Sequence, residues 1–328
     1  MVSGPADDPN DALPAGDANM FKVEPFDALL DLDGGPYFFG RFSFDEASAT
    51  FAWPGSSIFA RFTGTGISVA LQEMSAQVSY SGSGPQGNYY DVIVDGNDPN
   101  PLTTQTGLGT YVLAQNLKEG EHTVLLRKRT EALVGAARFM GFTVAGAPLA
   151  APAKTFLTRR IEVIGDSISA GYGVEGLSAQ CPFTPATENV SRSYAFLMAK
   201  NLKADVHVVA WSGKGVGRNA DGSTAETMPE LYRRTLPSDA NSVWNFANWG
   251  SQVVVVNLGT NDFAQGTPSA LAFQGAYATL LADLRGRYPK ALIFCVLGPM
   301  LSDAFPEGAK HLTTARAYIK SVVDNAGD

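Results

Sequence analysis

The sequence predicts two successive folds in one chain: an all-β sandwich over residues 36–147, then an α/β/α domain over residues 159–328. Three observations carry that prediction. The first stretch is a series of short runs rich in Val, Ile, Phe and Tyr, each bounded by Gly, Asn or Asp. A Pro/Ala segment, "PLAAPAKTFLT" at 148–158, then breaks the pattern. Beyond it, apolar strands alternate with helix-length segments, as in a parallel sheet with helices on both faces.

The elements follow in order. Residues 1–35 precede the sandwich, and the first nineteen, "MVSGPADDPNDALPAGDAN", are small, acidic and rich in Pro and Gly. Such a composition cannot bury apolar surface and reads as a flexible leader. It is the kind of leader left after a secretion or lipoprotein signal is cut away, although no signal peptide is itself visible. The sandwich strands are "SIFARFTG", "GISVALQEM", "NYYDVIVDG", "GTYVLAQNL", "HTVLLRKRTE" and "ARFMGFTVAG". In "YYDVIVDG", Tyr90, Val92 and Val94 share one face, and Asp91 and Ile93 the other. Evenly spaced short strands of this kind predict a β-sandwich. The second domain should carry strands at 161–165, 206–210, 253–258 and 291–297, with helices near 191–203, 270–288 and 308–325. "VVVVNLG" and "ALIFCVLG" are unbroken apolar runs, the signature of strands buried on both faces.

Composition narrows the function. With 328 residues, 45% hydrophobic and 17% charged, the chain can bury two cores. A formal charge of -8 argues against nucleic acid as a partner. The short basic runs at 127–129, 159–160 and 233–234 read as solvated edges. No run is long and apolar enough to span a bilayer. The two cysteines, Cys181 and Cys295, match no metal-ligand spacing, and a disulfide between them has no positive support. The three histidines do not pair at ligand spacing, so neither a metal nor another cofactor is expected.

Three predicted strand ends carry polar, Gly-rich turns. They are "GDSIS" with Ser167, "AWSGKGVGRN" with Ser212, Gly213 and Gly215, and "NLGTNDF" with Gly259, Asn261 and Asp262. Sites of open α/β sheets lie at the carboxyl ends of the strands, so these turns should meet. Acyl transfer needs such a group: a hydroxyl nucleophile and donors aimed at a developing oxyanion. Ser167 supplies the hydroxyl. The backbone N–H groups of Ser167 and Gly213 and the side-chain amide of Asn261 supply donors, and glycine at 213 admits a close approach of substrate. Taken singly, each turn also has a bland reading as a cap, a loop or an Asx turn. The three in this order are more specific.

This order resembles the SGNH (GDSL) hydrolases. "IEVIGDSISAGYGVEG", "CPFTPATEN", "WSGKGVGRN" and "GTNDF" resemble carbohydrate esterase family 2 more closely, and "YYDVIVDG…GEHTVLLRKRTE" resembles the sandwich that precedes that family's hydrolase domain. The resemblance covers residues 36–328. It implies a jelly-roll sandwich and a flavodoxin-like hydrolase domain. It also implies metal-free, two-step removal of O-acetyl groups from plant polysaccharides such as xylan or glucomannan, and thus a secreted, cell-surface or periplasmic protein. By matched position, it assigns Ser167 as nucleophile, Gly213 and Asn261 as oxyanion donors and Asp262 a structural role.

The family's histidine lies near the C-terminus, in an Asp-x-x-His or Trp-His-Pro context, and this sequence has no such motif. Its histidines are His122, His207 and His311. His122 opens a sandwich strand and His207 lies within a buried one, which gives both structural roles. His311, the one candidate for the base within this sequence, begins a helix whose apolar stripe is Leu312, Ala315, Ile319 and Val322 or Val323; it is expected on the exposed edge, near the rim of the site. The last helix closes on "NAGD" where a further strand would return, so the expectation is a C-terminally truncated hydrolase domain, nearly inactive for want of its base. Two other functions stay open: a polysaccharide-binding protein on a hydrolase fold, or a general GDSL lipase or thioesterase. Trp211, Trp244 and Trp249 are candidates for stacking on sugar rings and equally for core packing.

Overall fold

A computed structural model describes residues 19–20, 35–74, 86–150 and 157–327. The predicted leader up to residue 18 and most of the predicted linker lie outside the described residues. The chain clusters into two compact units. One draws on Met1–Ala52, Ser56–Arg129 and Val134–Thr155, the other on Trp53–Gly55, Thr130–Leu133 and Phe156–Asp328.

The first unit is built from β1 (Asn19–Met20), β2 (Tyr37–Phe39), β3 (Phe42–Phe44), β4 (Ala49–Phe51), β5 (Ser57–Glu73), β6 (Gln86–Val94), β7 (Asn100–Gln105), β8 (Gly107–Ala114), β9 (Glu121–Lys128) and β10 (Ala137–Leu149). All pairing is antiparallel, and the main path runs β3-β4-β10-β5-β9-β6-β7. In a flat sheet, β4 and β6 would stand about 19 Å apart, at ~4.8 Å per strand. Yet the rings of Phe51 on β4 and Tyr90 on β6 meet at 6.4 Å between centroids. The sheet therefore folds over on itself. It encloses one core of Phe42, Phe51, Ile58, Phe62, Val69, Tyr90, Val124, Phe139 and Phe142.

Two strands expected to be separate, "SIFARFTG" and "GISVALQEM", are one 17-residue strand, β5. The intervening glycine does not make a turn; it lets two backbones close on each other. A Cβ on Gly64 would lie 1.9 Å from the Ala145 carbonyl oxygen, and one on Gly146 would lie 1.8 Å from that of Thr63. The expected strand "HTVLLRKRTE" also ends early. β9 stops at Lys128, and Thr130–Leu133 belong to the second unit. Residues 148 and 149 of the predicted linker are the end of β10.

The second unit holds β11 (Arg160–Gly165), α1 (Ser167–Ala170), α2 (Tyr194–Leu202), β12 (Asp205–Ala210), α3 (Met228–Leu231), β13 (Val253–Asn257), α4 (Ala270–Arg287), β14 (Leu292–Val296) and α5 (His311–Asn325). Its sheet is parallel in the order β12-β11-β13-β14. The chain begins in the middle, steps out to β12, then returns to β13 on the other side of β11. A crevice opens at such a reversal, at the carboxyl ends of β11 and β13. One sheet face packs Ile161, Val163, Val208 and Val255 against Ala195 and Ala199 of α2. α4 buries Phe273, Tyr277, Leu280, Leu281 and Leu284, a stripe at helical spacing.

β14 departs from expectation. Its unbroken apolar run is not buried on both faces: Leu292, Phe294 and Val296 are 62%, 50% and 37% exposed. It is the last strand of the described sheet, and α4 and α5 flank the face that carries Ile293 and Cys295.

Candidate active site

The turn after β11 is set by packing. A Cβ on Gly165 would sit 2.0 Å from Ser169 Oγ, so glycine lets α1 start directly against the strand end. Asp166 caps α1 by accepting the Ile168 N–H at 3.0 Å. Gly171 ends α1 at φ 83°, and its missing side chain leaves room for the Asn189 carbonyl. Ser169, two residues past Ser167, meets the Tyr194 hydroxyl at 2.9 Å. Ser167 is the first residue of α1 and half-buried. Among the described residues, neither its hydroxyl nor its N–H has a protein hydrogen-bond partner.

The three turns meet as the sequence predicts, and two side chains of the third turn hold them. The Asn261 amide donates to the Lys214 carbonyl at 2.8 Å and reaches Asp166 Oδ2 at a long 3.4 Å. It thereby touches the first and second turns at once. The Asp262 carboxylate accepts the N–H groups of Val216, Gly217 and Arg218 at 2.9, 2.8 and 2.9 Å. Those bonds lay the "GVGR" loop across the end of β13. Gly215 must be glycine here, because a Cβ would stand 2.0 Å from the Arg218 carbonyl oxygen. Gly213 sits at φ 80°, in the left-handed region, and its N–H has no protein acceptor among the described residues.

The electrostatics follow from burial. Asp166 is fully buried, and desolvation pushes its carboxyl up to about 7 from an ordinary 3.8, with the nearby Glu131 and Asp262 charges adding to the rise. Burial also raises Asp262, against the three backbone N–H groups that favour its charged form.

No histidine lies in hydrogen-bond contact with Ser167 among the described residues. His122 is in the sandwich, where Nδ1 meets Asp95 at 2.7 Å and Nε2 the Lys118 carbonyl at 2.7 Å. His207 on β12 is stacked on Trp249 with centroids 3.7 Å apart. His311 is not on an exposed edge as expected. It is 6% exposed and packs edge-on against Phe263 at 5.2 Å, because α5 turns His311, Ala315, Ile319 and Val322 inward as one stripe.

The tryptophans are packing residues. Trp211, Trp244 and Trp249 are 7%, 6% and 9% exposed, so none presents a face for a sugar ring. Trp249 also lies beside His207 and Arg160, near the amino-terminal half of the sheet and away from the turns. Near Ser167 an exposed ring rests on a half-buried one, a pair that the sequence motifs do not mark. Tyr172, whose N–H donates to the Ser167 carbonyl at 3.0 Å, is 45% exposed and stacks on Phe183 at 3.9 Å. Cys181 and Cys295 are both free thiols. An apolar groove of about 1040 Å³ runs between α4, β14 and α5, and none of its lining residues belongs to the three turns.

A strand-end serine, two backbone donors without a protein acceptor among the described residues and a bridging asparagine at a switch point define a class of α/β acyl hydrolase. The family model "GDSL-like Lipase/Acylhydrolase family" matches residues 163–327, and "Carbohydrate esterase 2 N-terminal" matches residues 38–152. The chain belongs to the family 2 carbohydrate esterases. A solved family two carbohydrate esterase from Clostridium thermocellum, in complex with cellohexaose, is 38% identical with a TM-score of 0.80, covering 89% of this chain and 85% of that one. The cellulase/esterase CelE of Acetivibrio thermocellus is 39% identical over 287 residues, 87% of this chain and 33% of that protein. An acetylxylan esterase / glucomannan deacetylase of Cellvibrio japonicus is 27% identical over 260 residues, 79% of this chain and 69% of that protein. The chain thus spans about a third of the length of CelE.

Proposed function

We propose that this chain is the esterase part of a protein that removes O-acetyl groups from plant cell-wall polysaccharide of the xylan or glucomannan type, through an acetyl-enzyme. The observation that carries the reading is the Ser167 turn. Among the described residues, its hydroxyl and N–H and the Gly213 N–H have no protein partner, where Asn261 and Asp262 draw the three strand ends together. Ser167 Oγ attacks the acetyl carbonyl carbon, and its proton passes to a base. The carbonyl oxygen, now an anion, takes the N–H groups of Ser167 and Gly213. It also takes the Asn261 N–H that now makes only the long contact to Asp166. Collapse of the tetrahedral adduct expels the sugar oxygen, which takes up the proton, and water then releases acetate from Ser167. Tyr172, backed by Phe183, is the exposed ring placed to carry a sugar face beside the scissile ester. A polymeric substrate of this kind places the work outside the cell or at its surface.

The base is the open part of this machinery. His122 is hydrogen-bonded in the sandwich, and His207 and His311 pack against aromatic rings with no bond to Ser167 among the described residues, so the 328-residue chain alone is expected to acylate slowly. The test is p-nitrophenyl acetate hydrolysis by the purified chain with added imidazole. With the protein-free imidazole rate subtracted, since imidazole itself attacks this ester, the remaining rate should climb in proportion to imidazole, and Ser167→Ala should abolish both the basal and the rescued part. A fast imidazole-independent rate that His311→Ala removes would overturn this account of the base. The engagement of all three histidines also favours a second reading, glycan binding without turnover. That reading predicts retention on acetylated xylan with no acetate released even when imidazole is supplied.

A further inference from the structure

Glu131 is fully buried, at 0% exposure, and far in sequence from every motif of the site. Its carboxylate nevertheless holds Ser212, the residue before Gly213. Oε2 accepts the Ser212 N–H at 2.6 Å, and Oε1 accepts the Ser212 hydroxyl. Glu131 is itself anchored, since its N–H donates to Oε2 of the buried Glu188 at 2.9 Å. On the other side of the turn, the Lys214 N–H donates to the Trp211 carbonyl at 3.2 Å and the Ala220 N–H to the Gly213 carbonyl at 2.8 Å. The Ser212–Gly213 peptide is suspended between these anchors. Gly213, at φ 80°, has no side chain to limit its rotation.

We propose that Glu131 is a positioning residue for the oxyanion hole: by fixing Ser212 at two points, it aims the Gly213 N–H at the reacting carbonyl. The inference rests on the acyl-transfer reading of Ser167. The chemistry of the pair favours a geometric role over a neutral tether. A carboxylate offers two oxygens and no hydrogen, so it can accept both donors of one serine; an amide of the same size accepts only the N–H, forces the hydroxyl to turn round and accept from its NH₂, and brings no charge to either bond. Placing a carboxylate near a forming oxyanion is electrostatically adverse, and two bonds from one serine to a single anchor are what it provides in return.

The test is the time course of Ser167 acetylation by p-nitrophenyl acetate, read by intact mass on the full chain with imidazole present. In Glu131→Gln the saturating rate constant should fall about 100-fold, the scale of losing one oxyanion donor, with the half-saturating ester concentration unchanged. Ser212→Ala keeps the N–H bond and should fall about tenfold, the scale of one hydrogen bond to a charged group. A folded Glu131→Gln acetylating at the wild-type rate would overturn the proposal, as would a loss shared between rate and ester affinity. If Glu131→Gln does not fold, an unchanged rate in Ser212→Ala overturns it. A wild-type chain that Ser167→Ala matches in acetylation brings down the acyl-transfer reading as well, which an inert Glu131→Gln alone does not.

Discussion

Asp166 is the residue where burial and chemistry pull in opposite directions. It caps α1 and lies in reach of Asn261, yet desolvation raises its carboxyl to about 7 from 3.8. The sign of the consequence follows from proton counting. Between those two values the folded state holds a proton that the unfolded state has released, so stability falls as pH rises. The slope from this one group is about 1.4 kcal/mol per pH unit within the window, and it ends once the pH passes the folded value. Asp166→Asn keeps a capping oxygen and cannot ionise. Denaturant unfolding at pH 5 and pH 8 should therefore show a smaller loss of stability in the variant than in the wild type. Equal losses in the two proteins would assign the pH dependence to other groups, such as Asp262, whose carboxyl burial also raises.

The elements show what a run of residues can and cannot reveal. β14 exposes Leu292, Phe294 and Val296 on one face of an edge strand, and an edge of that kind invites association. Phe294→Lys should lower self-association in light scattering at high protein concentration. It should leave the melting temperature nearly unchanged, because a half-exposed surface substitution usually shifts stability by under about 0.5 kcal/mol. A variant that associates as strongly as the wild type would clear this face of the role. The run "ALIFCVLG" gave no sign of this, because continuous apolarity marks a parallel strand without marking whether it is central or at an edge. The three turns were legible for the opposite reason. "GDSIS", "SGKG" and "GTND" owe their character to local backbone needs, such as the Asp166 cap and the Gly213 and Gly215 conformations, and local needs leave local residues. Gly64 misled because a glycine permits a close backbone crossing as readily as a turn. Glu131 was illegible: "RKRTE" continues a strand pattern, and only the tertiary course of Thr130–Leu133 sets it against Ser212.

Over the whole molecule, the order of residues along the chain and their membership of units do not coincide. The sequence suggests a cut at a linker, with everything after it forming the α/β unit. That unit in fact includes Trp53–Gly55 and Thr130–Leu133, which lie among the sandwich strands in sequence. Trp53 is 1% exposed, and its indole N–H donates to the Arg234 carbonyl at 3.4 Å. Gly55 lies at φ 81° where a Cβ would be 2.6 Å from the Phe196 ring. Glu131 and its bonds to Ser212 and Glu188 belong to the same inserted pieces. A fragment of residues 157–328 would lack all of them. Deleting a buried Trp alone costs about 3–5 kcal/mol, against a typical total of about 5–15 kcal/mol for a domain. Leaving the Ser212 donors and Glu188 without partners adds to that cost. The fragment is therefore expected to unfold at a clearly lower urea midpoint than the α/β unit within the full chain. Its Ser167 should also lose reactivity toward p-nitrophenyl acetate, in step with the displaced oxyanion turn. A fragment as stable and as reactive as the full chain would show that the two inserted segments only occupy the unit's surface. A fragment that is stable but unreactive would isolate Glu131, rather than Trp53, as the contribution that matters.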